Sequence, residues 1–115
     1  MKKKSEQFIS PFAPKGGVRA NEGKPRFSLI SPYAAEGLAK VLTYGALKYE
    51  PHNWKKGLSF EETIDSLMRH LTAIQRGELI DSETGLMHID HVQCNAMFLS
   101  HFMHNPAQYE KFNDI

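Results

Sequence analysis

A chain of 115 residues, 41% hydrophobic and 23% charged, has one domain's worth of material and enough apolar side chains for a core. No apolar run reaches the ~20 residues of a membrane span, the start MKKKSEQFIS lacks the apolar stretch of a signal peptide, and a single cysteine, Cys94, excludes an internal disulfide and a cysteine-built zinc site, so a cytoplasmic protein is expected. The net charge of +1 hides an asymmetry: residues 1–26 hold seven Lys and Arg against two Glu, which leaves −4 on the rest and suits either an anionic ligand or a solvated basic terminus.

Pro11, Pro14, Gly16, Gly17, Gly23 and Pro25 exclude a helix at the start. Residues 1–22 read as a basic, partly flexible arm, in which Phe8, Ile9 and Phe12 could anchor on a neighbouring surface. RFSLI (26–30) reads as a short extended run. SPYAAEGLAKVLTYGALKYE then reads as the first helix, with Ser31 at the N-cap, Pro32 at the first helical position, Leu38, Val41, Leu42 and Tyr49 on an apolar stripe, and Pro51 as the stop. After the loop PHNWKKG, SFEETIDSLMRHLTAIQRG forms the second helix. Ser59 and Glu62 make a capping box, Ile64, Leu67, Met68, Leu71 and Ile74 share one face, and Gly77 ends it. ELIDSETG is a connector. The third helix runs from about Leu86 to about Met103 and Pro106 stops it, leaving Tyr109 and Phe112 on a tail able to pack back. The expected fold is all-α: one domain over 1–115, a compact bundle of three main helices with an extended N-terminal arm. Three helices bury little surface alone, and the third is very apolar, so a homo-oligomer is expected.

At 100° per residue, His88, His91, Val92, Asn95, Leu99 and Phe102 share the core-facing side of the third helix, while Asp90, Met97, His101 and His104 point the other way. Inward polar groups need partners. His88 and His91, at i and i+3, can reach one divalent ion, touch a ligand directly, or be hydrogen-bonded within the core; Asp81, Glu83, His70 or Asp65 would have to complete a metal set. Asn95 suits a helix–helix hydrogen bond or a ligand contact. On the second helix, Glu61, Glu62 and Asp65 resemble the start of the acidic pattern that holds Mg²⁺ in helical nucleotide pyrophosphohydrolases; equally, Glu62 serves the cap and Asp65 pairs with Arg69. Lys24, Arg26 and Lys48 are candidate phosphate ligands, the arginine through its planar fork. Asn53 and Trp54 could read and stack on a purine, or Trp54 could close its loop over the core.

Taken in order and spacing, KPRFSLI, LTYGALKYEPHNWKKG, LMRHLTAIQRGE and DSETGLMHIDHVQCNAMFLS resemble a phage-associated dATP/dGTP diphosphohydrolase family (N-terminal domain), itself similar to MazG-like all-α pyrophosphohydrolases. The resemblance covers about residues 22–103. It implies hydrolysis of a purine (deoxy)nucleoside triphosphate to monophosphate and pyrophosphate with Mg²⁺ or Mn²⁺, in the cytoplasm of an infected cell. Lys24, Arg26, Lys48, Asn53 and Trp54 would hold the nucleotide. His70, His88 and His91 would be catalytic, and Glu61, Asp65, Asp81 and Glu83 would serve a metal. Ser28 stands where the family commonly has an acid, and His88 and His91 stand at the spacing of an acidic pair. The alternative is therefore an anti-defence sponge that sequesters a nucleotide, cyclic or linear, without a cofactor and without cutting it. DNA binding finds no recognition-helix pattern to support it.

Overall fold

The computed structural model describes residues 16–115; the expectations for Lys2–Lys4, Lys15, Phe8, Ile9 and Phe12 lie outside the described residues. Three long helices carry the fold: α1 (Pro32–Lys48), α2 (Phe60–Gln75) and α3 (His88–His104). A single-turn α4 (Pro106–Tyr109) follows, and among the described residues the one β element is an isolated antiparallel bridge between Ile80 and Met87. The all-α expectation holds.

The helix ends form as their residues dictate. The Ser31 hydroxyl accepts from the Ala34 N–H (3.2 Å), and the Ser59 hydroxyl accepts from the Glu62 N–H (3.1 Å). The box at α2 differs from its expected form: Asp114, from the tail, accepts from the Ser59 hydroxyl and from the Glu61 N–H (2.9 Å). At the other end of α2, Gly77 takes φ +87°, its N–H donates to Ile74 O (2.8 Å) and the Glu78 N–H to Ala73 O (3.0 Å). These two bonds are a Schellman motif, which turns the chain sharply and delivers Glu78 to a defined place.

Two local expectations change. RFSLI is not extended: Phe27–Leu29 is a 3₁₀ turn, closed by Leu29 N–H to Arg26 O (3.1 Å) and Ile30 N–H to Phe27 O (3.0 Å). And α3 starts at His88 rather than Leu86, because the Ile80–Met87 bridge and the bond from Asp81 N–H to Leu86 O (2.8 Å) hold the preceding residues in a tight loop.

Helix α3 lies between α1 and α2. Phe102, Phe60 and Tyr109 form the fully buried centre of an aromatic cluster at one end, with Trp54, Leu58, Phe98, Leu99 and Phe112 around them. The tail thus packs back as its aromatics suggested. On the α1 side, the Asp90 carboxylate sits so close to Gly37 that a Cβ there would fall 2.2 Å from it, and Gln93 Nε2 donates to Ala34 O (2.8 Å). Asp90 and Met97 are therefore half-buried rather than outward-facing. So is His101, wedged edge-on against Trp54 and Tyr109.

The loop before α2 returns through Gly57 at φ +107°, and the Phe112 ring occupies the place a Cβ would need, 2.2 Å from it. Gly57→Ala is expected to cost about 1–3 kcal/mol from the positive φ and the displaced ring together. A lowered urea midpoint at unchanged slope is the readout; an unshifted midpoint would contradict the packing described.

Candidate active site

The second cluster sits at the end of α3 away from the aromatics. His70 comes from the last turns of α2, His88 and His91 from the first turn of α3, and Asp81 and Thr84 from the loop between them. His70 and His91 stack face to face, 4.4 Å between ring centres and 8° apart. His70 Nδ1 and His88 Nδ1 are 2.8 Å apart, and His91 Nε2 lies 2.9 Å from Thr84 Oγ1 and 3.5 Å from Asp81 Oδ2.

The hydrogen-bond inventory around Thr84 closes. Its one proton goes to Asp81 Oδ2 (2.9 Å), and its oxygen accepts the Leu86 N–H (3.2 Å). The remaining lone pair can then only accept, so His91 donates from Nε2–H. Asp81 Oδ1 accepts the Glu83 N–H (3.1 Å). Burial alone would raise the Asp81 carboxyl; the Glu83 N–H, the Thr84 hydroxyl and the histidines outweigh it and hold it below the usual carboxylate range. Burial is the first cause that lowers His70 and His91 below their ordinary value; each His also feels a histidine neighbour, and Asp81 offsets part of the effect.

Depressed histidine values fix the sign of a pH effect. The unfolded chain binds protons more readily than the folded one once pH falls below about 6.5, so this part of the stability is complete above that pH and lost beneath it. Asp81 adds a further loss below about pH 4. The melting temperature is expected to fall between pH 7.5 and 5.5, and the fall to shrink in a His70→Gln, His91→Gln variant. An unchanged slope would show that the histidines are not the titrating groups.

A cavity of ≈ 810 Å³ opens beside this cluster, walled by the C-terminal half of α1, the His52–Lys55 loop and the facing sides of α2 and α3. This is ample for a nucleotide. His70, His91, Asp81, Glu83, Lys48, Asn53 and Trp54 line it. Tyr49 is the first cause that raises Lys48, with Glu83 a smaller one, so its ammonium stays charged at the cavity wall. Trp54 gives one face to Phe98 (5.0 Å between centres), so the indole closes the loop over the core as well as reaching the cavity. Asn95 donates to Ser66 Oγ (3.2 Å), bridging α3 and α2.

Other expected residues fall elsewhere. Lys24 and Arg26 are exposed ahead of α1 and are not among the cavity's lining residues, so the three expected phosphate ligands do not converge. His88 is buried behind His70 and is likewise not part of the lining. Glu61 is tied by its backbone to Asp114 near the aromatic end, and Asp65 lines a separate groove with Met68, Arg69, Thr72 and Arg76. Glu61 and Asp65 thus stand apart from Asp81 and Glu83: Glu61 lies at the start of α2, and Asp65 lies on a different face of the helix from His70. Among the described residues no three His, Cys, Asp or Glu side chains are placed to hold one ion. Thr84 and Glu78 were not expected at all; the one clue to Thr84 was its place in the polar run DSET between two helices.

Residues 14–112 match the family described as "dATP/dGTP diphosphohydrolase, N-terminal". The chain belongs to that family. A relative named dATP/dGTP diphosphohydrolase from Salmonella phage PMBT28 is 36% identical over 89 residues, which are 77% of this chain and 30% of that protein. The chain thus spans less than a third of the length of this dATP/dGTP diphosphohydrolase. No solved structure matches. Among the described residues no helix is long and apolar enough to cross a membrane.

Proposed function

We propose that the chain is a nucleotide pyrophosphohydrolase acting on purine deoxynucleoside triphosphates. The observation that carries the reading is the cavity itself: a ≈ 810 Å³ space lined at once by a cation, Lys48, and by a histidine, His70, whose Nε2 has no hydrogen-bond partner among the described residues. Membership of the diphosphohydrolase family and the name of the phage relative support the substrate class.

In this reading Lys48 holds phosphate oxygens and Asn53 contacts the base or sugar. His70, kept neutral at physiological pH, accepts the proton of a water that attacks a phosphorus. The new P–O bond replaces the bond to the bridging oxygen, and pyrophosphate leaves with that oxygen's electrons. Asp81 and Thr84 hold His91 in one tautomer, and His91 holds His70 flat against it. Mg²⁺ or Mn²⁺ belongs to this proposal as an ion arriving on the nucleotide's own phosphates, since such ions are often held by one or two carboxylates plus substrate. Glu83, with Asp81 beneath it, would meet it, and it would supply charge neutralisation. Exposed Phe27, Tyr33 and Leu47 on and before α1 support self-association, which light scattering would test against the 13.1 kDa monomer mass.

A second reading has its own support. Both Asp81 oxygens are already hydrogen-bonded, and the four carboxylates do not gather, which suits a pocket that holds a nucleotide intact. The deciding experiment incubates the protein with dATP or dGTP, with and without Mg²⁺ or Mn²⁺, and follows products, then heats the protein and identifies what it releases. Monophosphate and pyrophosphate support the enzyme. Intact nucleotide after long incubation with either metal sinks it and leaves the sponge.

A further inference from the structure

His88 is 6% exposed, and among buried side-chain polar atoms of the described residues its Nε2 is the one without a hydrogen-bond partner. Such an atom needs an explanation. The carboxylate of Glu78 stands 3.6 Å from it, slightly beyond hydrogen-bond length. Glu78 is not there by chance of a loose loop. The Schellman turn at Gly77 fixes its backbone, and the next residue is pinned to α3 by the bond from His88 N–H to Leu79 O (2.9 Å).

The other nitrogen of His88 faces His70, Nδ1 to Nδ1 at 2.8 Å. Two neutral imidazoles can share that contact only if one nitrogen carries the proton and the other accepts it. There are two arrangements. In the first, His70 Nδ1–H donates to His88 Nδ1. His88 then carries its own proton on Nε2, pointed at the Glu78 carboxylate, and His70 Nε2 is left as a bare lone pair. In the second, His88 Nδ1–H donates to His70. His88 Nε2 is then a lone pair set against a carboxylate, and His70 Nε2 carries a proton.

We propose that Glu78 is a positioning residue that acts through His88 to hold His70 in the tautomer with a free Nε2, the form able to take a proton from a reacting group in the cavity. The carboxylate accepts a proton but cannot donate one, so it stabilises the first arrangement and opposes the second. Glu78 is half-exposed, but at 3.6 Å its charge is close enough to favour an N–H over a lone pair on His88 Nε2. The catalytic use of that lone pair rests on the hydrolase reading above; the tautomer itself does not.

The test reads the tautomer first. In ¹⁵N-labelled protein above pH 7.5, histidine side-chain correlation spectra are expected to show His70 protonated at Nδ1 and bare at Nε2, and His88 protonated at Nε2. Glu78→Gln is the informative variant. It is isosteric, but its amide can either accept from His88 Nε2–H or donate to the bare nitrogen, so it does not choose. Both Glu78→Gln and Glu78→Ala are expected to leave a mixture of the two forms with the fold and melting transition intact. Where hydrolysis of dATP or dGTP is measurable, kcat should fall in proportion to the tautomer lost, about twofold for an even mixture, with KM little changed. His70 protonated at Nε2 in the parent, or a His70 tautomer unmoved in both variants, overturns the proposal. The expected tautomers in a protein that hydrolyses nothing support it and count against the hydrolase reading alone.

Discussion

His70→Ala is expected to lower the turnover of dATP or dGTP by a factor of roughly 10²–10⁴, the range that a positioned general base contributes. His70 lines the cavity with one nitrogen bonded to His88 and the other without a partner among the described residues, and its depressed pKa keeps it neutral at physiological pH. The substitution also removes one ring of the His70–His91 stack, so a fair measurement pairs steady-state kinetics with a melting curve. The reading requires kcat to collapse while the melt moves little and KM stays within a few-fold, because phosphate binding is assigned to Lys48 across the cavity. Turnover within about threefold of the parent would remove His70 from the chemistry. Lys48→Ala is expected to show the complementary pattern, with weaker nucleotide binding that salt weakens further.

Phe102→Ala is expected to cost about 3–5 kcal/mol of folding free energy. Phe102 is fully buried, stacks on Phe60 with centres 5.8 Å apart, and meets Tyr109 at 4.7 Å and Trp54 at 6.2 Å. Its removal leaves a void at the one place where α2, α3, the Trp54 loop and the tail meet. A domain of this size has roughly 5–15 kcal/mol in all, so the variant should unfold at far lower urea than the parent. Phe102→Leu, which refills much of the space, should lose much less. A small shift for the alanine variant would place the core elsewhere.

Helix content was legible because its determinants are local. Ser31, Pro32, Ser59 and Gly77 act within a few residues of themselves, and each sits where the sequence puts it. What was not legible depends on chain segments far apart. A helical wheel assigns one buried face, but α3 has neighbours on two sides, so Asp90, Met97 and His101 were set outward and are half-buried. Asp114 completes the α2 cap from 53 residues away in sequence, a distance that no local pattern signals. The same holds within the site. His70, His91, Asp81, Glu83 and Lys48 were candidates by residue type and reach one cavity, while Glu61 and Asp65, chosen by analogy with an acidic motif, do not. Thr84 and Glu78 escaped notice because a threonine or a glutamate in a polar connector carries no signal until its partners are seen.

Trp54 is the sole tryptophan, and it bridges the two halves of the molecule: it lines the cavity on one side and packs on Phe98, His101 and Phe102 on the other. The protein therefore carries its own optical probe. Emission from that indole should respond to a nucleotide entering the cavity, giving an unlabelled titration, and should shift to the red when the aromatic cluster opens to water.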